Sequence, residues 1–340
     1  MEGTAESTPL AGPSAGAPSA GTPFAGAVEP GLDKPPLASP VLAGTAPEGG
    51  DAHETGSMLR LTVRAFLENK LAVLGLAMFL LMVLFSFVGP MIYVTNQTNT
   101  AQAILNGLPN SSPSGGHILG TDNEAFDILG RLMVAGQSSI EIGLAAGFFA
   151  AIVGTIYGAV SAVVGGAVDA VMMRIVDALY ALPTLFLLIV LASMFNPSLL
   201  LLILVFSFIS WTPTARLVRG EALSLRTREY VQAVTVAGGT RARIVLRHIV
   251  PNTIGTIMVN TSFLVADAII AVATLSFLGL GLPNTIPSWG AMLTVGVDNL
   301  ANGYWWELYP AGICIVLSVV AFNFIGDALR DSLDVRLQKR

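Results

Sequence analysis

Six long apolar stretches alternate with polar segments along this chain, and each is long enough to cross a membrane as a helix. About 20 predominantly apolar residues span the hydrocarbon core of a bilayer in helical form. The stretches occupy residues 71–93, 142–168, 178–195, 198–215, 251 to just before Gly279, and 308–325. The pattern predicts an all-α integral membrane protein with six transmembrane helices.

The third and fourth stretches belong to one charge-free segment, residues 178–215, which is too long for a single span. Asn196–Pro197 divides this segment, and an Asn-Pro dipeptide favours a turn. We therefore predict a helical hairpin, whose first arm begins at residue 178 or nearer to Ala170.

The positive charges predict the orientation of the spans. Six spans place both termini on one side, and 16 of the 17 Lys and Arg residues then fall on that side. Seven of them lie between spans four and five, whereas only Arg131 lies on the opposite side. Because Lys and Arg are enriched in cytoplasmic segments, both termini are expected to be cytoplasmic.

Composition separates the chain into two parts. Of the 340 residues, 53% are hydrophobic and only 11% are charged, well below the roughly 25% of soluble domains. Residues 1–57 differ, being rich in Ala, Gly, Pro, Ser and Thr, and cannot bury enough apolar surface to order. They also lack the basic start and apolar run of a signal peptide. We expect a disordered cytoplasmic tail over 1–57 and a six-helix membrane domain over 58–340.

Motifs for catalysis are missing from the sequence. A phosphate-binding Walker A loop needs Gly directly before its Lys, but the three lysines follow Asp, Asn and Gln. The three histidines, His53, His117 and His248, are scattered, and neither His-Glu-x-x-His nor Gly-x-Ser-x-Gly occurs. The single cysteine, Cys314, allows no disulfide or Cys-based metal site within one chain. We therefore expect neither an enzyme nor a bound cofactor or metal.

The cytoplasmic connection 216–250 carries the most informative pattern. Polar residues recur every third position from Glu229, next to an apolar stripe, which predicts an amphipathic helix. Gly238–Gly239 should end this helix, and Thr240 can cap another that runs towards Pro251. Two short amphipathic helices suit docking into a groove of a partner, or equally an interfacial hairpin on the lipid surface.

This connection resembles the EAA loop of ABC importer permeases, whose signature is Glu-Ala-Ala, three residues, Gly, and then Ile-x-Pro. The matching residues are Gln232, Ala233, Val234, Gly238, Ile249 and Pro251. Gln232 stands where the family has Glu, and Val234 where it has Ala. Gln232 cannot form a salt bridge as a carboxylate would, but it keeps hydrogen-bonding capacity.

Further motifs resemble the dipeptide, oligopeptide and nickel branch of these permeases. Residues 119–127 are similar to its Leu-Gly-Thr-Asp-x-x-Gly-Arg-Asp signature, with Ala125 and Phe126 replacing Gly-Arg. Residues 215–220, 275–290 and 326–334 are similar to its segments after span four, after span five and at the C-terminus. The resemblance covers residue 119 to the end, and indicates the second, C-type permease subunit.

The resemblance implies a type I ABC importer and a set of partners. This chain would pair with a homologous permease, bind two cytoplasmic ATPases that hold ATP and Mg, and receive substrate from an extracytoplasmic binding protein. The residues expected to couple it to an ATPase are Glu229, Gln232, Ala233, Gly238, Ile249 and Pro251. Di- or oligopeptides are the expected substrates. Nickel chelates or other small solutes are the alternative, and an ATP-independent channel or secondary transporter is a further one.

Asp267 is the one carboxylate well inside a predicted span. An ionisable residue at such depth usually faces a cavity or a partner. It therefore predicts either a passage-lining group for a substrate ammonium or a hydrogen-bonded packing contact with another helix or subunit. Trp289, Trp305 and Trp306 are expected to anchor the chain in the aromatic belt at the membrane surface, with substrate stacking as the alternative.

Overall fold

The computed structural model describes residues 66–338 apart from 197 and 284, all within one structural unit, Asp51–Arg340. The predicted disordered tail, residues 1–57, lies outside the described residues. Every regular element in the described residues is helical, apart from one antiparallel bridge between Thr121 and Asp127. The helices are α1 (Lys70–Ile92), α2 (Thr100–Asn106), α3 (Ile128–Val164), α4 (Gly166–Tyr180), α5 (Thr184–Met194), α6 (Leu199–Arg226), α7 (Glu229–Val236), α8 (Arg241–Phe277), α9 (Trp289–Leu300) and α10 (Trp305–Gln338).

Five of these helices, α1, α3, α6, α8 and α10, are long and apolar enough to cross a membrane. Together, α4 and α5 give a sixth candidate, because the pair passes the same test when it is counted as one span. The all-α class is confirmed. The described residues therefore contain five candidate spans, or six with the bent pair.

The prediction of a single helical arm over 178–195 is wrong. The chain forms two helices there, α4 and α5, whose axes meet at 82°. Pro183 explains the break, because its ring removes a backbone donor and disfavours the helical conformation of the preceding Leu182. The 11-residue α5 is about 16 Å long, too short to span a bilayer alone.

Helix α3 is longer than its apolar stretch, because it begins at Ile128 rather than near residue 142. Its 37 residues extend about 55 Å, well beyond a bilayer core of about 30 Å. Glycines allow α6 to pack closely against it. A Cβ added at Gly158 would lie 2.3 Å from the carbonyl oxygen of Ala215. Small residues at such positions let membrane helices approach closely.

Helix α8 joins the loop 216–250 to the fifth span without interruption. Thr240 caps it as predicted, accepting a hydrogen bond from the Arg243 N–H at 3.3 Å. The helix widens into a π turn at Val245–Ile249, just before Pro251. This local widening explains how the helix continues past a residue that cannot donate a backbone hydrogen bond. The segment that follows Thr240 and the candidate span therefore form one continuous helix.

Two of the three tryptophans expected at the membrane surface are instead in the core. Trp289 is fully buried, and its indole N–H donates to the carbonyl of Leu132 at 3.0 Å. Trp306 is 7% exposed, and its indole N–H lies 3.4 Å from the carbonyl oxygen of Thr121. Only Trp305, at 49% exposure, is placed as an anchor requires. The other two join α9 and α10 to α3 and its preceding loop.

Candidate functional site

Helix α7 lies at one end of the bundle and has one fully buried side chain. Val231 is 1% exposed and packs with Ile244, Val245 and Ile249 of α8. The other residues of α7 are exposed except for the half-buried Val234. A short helix with one anchored face and a free outer face has the geometry that groove docking requires.

Gly238 shapes the end of α7. Its φ is +80°, a left-handed conformation that residues with a Cβ rarely adopt. The Gly238 N–H donates to Thr235 at 3.1 Å and the Gly239 N–H donates to Val234 at 2.8 Å. These two bonds form a Schellman motif, which satisfies the last carbonyls of the helix. Gly238 is exposed, and no described atom lies within 4 Å of a Cβ added there.

Three further residues expected to couple the chain to a partner lie on the exposed side of α7: Glu229, Gln232 and Ala233. Gln232 stands where the signature has Glu, and its amide donates a hydrogen bond that a carboxylate could not donate. The Gln232 Nε2 donates to the carbonyl oxygen of Thr227 at 3.2 Å. This bond joins α7 to the end of α6.

Ile249 and Pro251 do not share the exposed surface of α7. Ile249 is fully buried among residues of α3, α6 and α8, so its role is packing. Pro251 is exposed on the first turn after the π segment of α8. Four of the six expected coupling residues, Glu229, Gln232, Ala233 and Gly238, therefore form one accessible surface. We call these four residues the α7 face.

Asp267 lies 16 residues beyond Pro251 on α8, about 24 Å farther along the helix, and is separate from the α7 face. It is exposed and lines a cavity of about 320 Å³ between α4, α5, α6 and α8. Its carboxylate makes no hydrogen bond or ion pair with any other described residue. The packing alternative therefore has no partner for Asp267 within the described chain. The rest of the cavity wall is mostly apolar, with Tyr180 at the bend between α4 and α5.

Glu141 is another exposed carboxylate inside a candidate span, and sequence reasoning missed it. The predicted second span began one residue later, whereas α3 begins at Ile128. The apolar residues between Ile128 and Ile140 recur with helical spacing and could have revealed the earlier start. Glu141 does not line the cavity around Asp267.

Ion pairs fix α4 to α6 beside this cavity. Arg219 holds Asp169 with two contacts of 2.6 Å, and Ser161 of α3 also donates to the same carboxylate. Nearer the bend, Arg216 contacts Asp177 at 2.7 Å and covers the ring of Tyr180 at 4.2 Å. A bidentate guanidinium–carboxylate pair fixes orientation as well as distance. The position of α4 therefore depends on α6.

At the end of the bundle opposite the α7 face, Asp127 organises the loop before α3. Its carboxylate caps α3 by accepting from the Gly130 N–H at 2.8 Å, and it accepts from the Tyr93 hydroxyl at 3.0 Å. His117 Nδ1 lies 2.9 Å from the same carboxylate. Burial, together with Asp127, raises the pKa of Tyr93, so that its hydroxyl remains a donor. The segment 119–127 is therefore a structural unit.

Ala125 occupies the position where the family signature has glycine, and the backbone explains that preference. Its φ is +62°, in the left-handed region, which costs a residue with a Cβ about 1–2 kcal/mol. The next residue, Phe126, stands in place of the signature's Arg, and Arg131 lies 4.6 Å above its ring. The changed residues thus keep the loop conformation while placing a cation on an aromatic face.

Known families match almost the whole described part of the chain. Residues 130–339 match the family described as the binding-protein-dependent transport system inner membrane component. Residues 57–113 match the N-terminal transmembrane domain of oligopeptide transport permease C.

Individual relatives extend this similarity. The chain is 40% identical to the oligopeptide transport system permease protein OppC of Salmonella typhimurium, over 80% of this chain and 89% of the relative. It is 37% identical to OppC of Bacillus subtilis, over 86% and 96% respectively. It is 36% identical to the dipeptide transport system permease protein DppC of the same organism, over 81% and 85%. This chain belongs to the family of binding-protein-dependent transport system inner membrane components.

Proposed function

We propose that this chain is the C-type permease subunit of an ATP-driven peptide importer and forms half of its transmembrane passage. A second, homologous permease completes the passage, two separate cytoplasmic ATPase subunits bind ATP and Mg, and an extracytoplasmic binding protein supplies the substrate. Both termini are cytoplasmic, with six spans when α4 and α5 count as one. Relatives named for oligopeptide and dipeptide transport support the substrate class.

The observation that carries this proposal is the exposed α7 face at the end of a helix that continues into the membrane domain. A groove on one ATPase subunit receives α7 around Gln232 and Gly238. Because α7 packs on α8 through Val231, and α8 runs on to Asp267, movement of the docked helix reaches the passage without a flexible joint. Nucleotide-driven closure of the ATPases then swings the bundle as a rigid body.

Asp267 receives the ammonium group of a peptide in transit. The cavity that it lines, about 320 Å³, lies within the range typical of small-molecule sites. Its apolar walls suit peptide side chains, while the unpaired carboxylate supplies the charge complementary to a free amino terminus.

The test is ATP-dependent uptake by membrane vesicles from cells in which this chain is deleted and then restored. We expect loss and rescue of uptake of labelled di- and oligopeptides, with nickel chelates as a comparison substrate. ATP-independent uptake would refute the importer. Rescue of nickel-chelate uptake alone would show that nickel chelates, and not peptides, are the substrates.

Asp267→Asn tests the passage within the same assay. We expect uptake of peptides with a free amino terminus to fall at least about tenfold, because the substitution removes the charge complementary to the ammonium. Uptake of N-acetylated peptides should change little. Glu141→Gln is the matched control, since it neutralises an exposed carboxylate outside this cavity. Unchanged uptake of both peptide classes in Asp267→Asn would refute this role.

A further inference from the structure

A second cavity, of about 90 Å³, lies at the end of the bundle opposite the α7 face. It is enclosed by the loop before α3, the first turn of α3, the segment before α9, the first two turns of α9, and the first turn of α10. Three of its wall residues carry carboxylates, Asp122, Glu124 and Glu307, and one carries a guanidinium, Arg131. With all four groups ionised, the wall has a net charge of −2.

Glu307 is the unusual member of this set. It is only 3% exposed, and its Oε2 accepts a hydrogen bond from the Asn299 amide at 2.7 Å. Its Oε1 is buried and has no hydrogen-bond partner among the described residues. A buried carboxylate oxygen without a donor is costly, which indicates that a donor from outside the described chain completes the site.

Arg131 does not supply this donor. Its Nε lies 3.4 Å from Asp122 and its NH2 lies 3.9 Å from Glu124, while its guanidinium covers Phe126. Its charge is therefore shared between two other carboxylates. Asp122 and Glu307 line the same cavity, so their negative charges repel each other when both are ionised. A cation entering beside Glu307 would relieve this repulsion as well as pair the free oxygen.

The volume restricts what this cation can be. Sites for small organic ligands usually measure about 300–1,000 Å³, several times the size of this cavity. The cavity can hold the end of one side chain but not a whole peptide. Glu124 has 40% of its side chain exposed and stands where an entering group would pass.

We propose that this cavity binds the ammonium or guanidinium end of one lysine or arginine side chain, presented by the extracytoplasmic protein that docks on this end of the bundle. We call it the outer acidic cavity. The inference rests on the proposed importer, since it needs a partner on that side. It adds a defined contact: Glu307 Oε1 accepts from the incoming cation, and Asp122 and Glu124 attract it. The contact would determine how tightly the partner binds rather than how fast substrate moves.

Glu307→Gln tests the proposal in the assembled importer, reconstituted in proteoliposomes with its binding protein. The readout is the binding-protein concentration that gives half-maximal ATP-dependent uptake. We expect it to rise at least about tenfold at unchanged maximal rate, because the incoming cation loses its charged acceptor. The matched control is Asp298→Asn, which removes an exposed charge from α9 outside the cavity wall. It should leave that concentration within about twofold.

A second measurement modifies the binding protein and is made first on the wild-type importer. The lysines of the binding protein are blocked by acetylation, or its arginines with a dicarbonyl reagent. The modification that blocks the entering residue should weaken binding to the wild-type importer by about the same tenfold factor. Neither modification should weaken binding to Glu307→Gln any further.

Three outcomes separate the possibilities. If wild-type uptake does not depend on the binding protein, the proposed function itself is refuted. If wild-type uptake is normal and Glu307→Gln keeps the same half-maximal concentration, the cavity proposal is overturned. It is also overturned if sodium chloride, compared with choline chloride, raises the thermal midpoint of the isolated wild-type importer but not of Glu307→Gln. That result would assign the cavity to an inorganic cation.

Discussion

Replacing Gly238 by aspartate should impair docking on a partner while leaving the chain able to fold. No described atom lies within 4 Å of a Cβ added at this position, so the substitution causes no collision. The cost comes from the left-handed backbone, about 1–2 kcal/mol. A negative charge at the C-terminal end of α7 adds about 0.3–1 kcal/mol. The total of about 1–3 kcal/mol is small enough for the chain to fold and insert.

The effect on function should be much larger than the effect on stability. Gly238 ends the exposed α7 face, so a change in the path of the chain or a new side chain there disturbs the docked surface directly. We expect Gly238→Asp to reach the membrane in normal amounts, while ATPase co-purification and ATP-dependent peptide uptake fall at least about tenfold. Gly238→Asn should be milder, because Asn tolerates the left-handed conformation as Asp does but adds no negative charge at the end of α7.

Gly279 provides a matched control at the other end of α8. Its φ is +78°, and no described atom lies within 4 Å of an added Cβ. It ends its helix with the same two bonds, from the Gly279 N–H to Ser276 at 3.0 Å and from the Leu280 N–H to Leu275 at 2.8 Å. Gly279→Asp therefore has the same backbone cost but should retain its ATPases. Equal loss of ATPase binding in both variants, or normal uptake in Gly238→Asp, would contradict the docking role of α7.

Two further substitutions test how the fold is held. Ala125→Gly should raise the thermal midpoint of the purified importer in detergent, since it removes about 1 kcal/mol of left-handed strain; an unchanged or lower midpoint would disprove that strain. Arg219→Lys should lower the midpoint by the equivalent of about 1 kcal/mol, because lysine cannot hold Asp169 with two parallel bonds. The more exposed Arg216→Lys should change it less, and equal effects would contradict the special role of the bidentate pair.

Local chemistry made several features predictable from the sequence. The apolar stretches required helices, because a backbone in lipid must satisfy its hydrogen bonds within its own segment. The glycine pair after α7 and the Thr240 cap were predictable because each acts on residues within one helical turn. The motifs that resemble peptide permeases carried the family assignment. None of these inferences needed a contact between distant parts of the chain.

Other features depend on contacts between residues far apart in sequence. The start of α3 at Ile128 is set by a loop that Asp127 organises with Tyr93 and His117, groups separated by up to 34 positions. The burial of Trp289 follows from its bond to Leu132, 157 positions away. Neither partner could be identified from a local pattern.

The sequence alone therefore determined the helical class, the apolar segments and the capped amphipathic helix, because these follow from the preferences of neighbouring residues. The tertiary structure decided the surroundings of the carboxylates. It opened a cavity around Asp267, placed Ile249 in the core, and enclosed Glu307 with Asp122 and Arg131. These outcomes required the tertiary structure, because the burial and pairing of a charge are properties of the assembled walls around it.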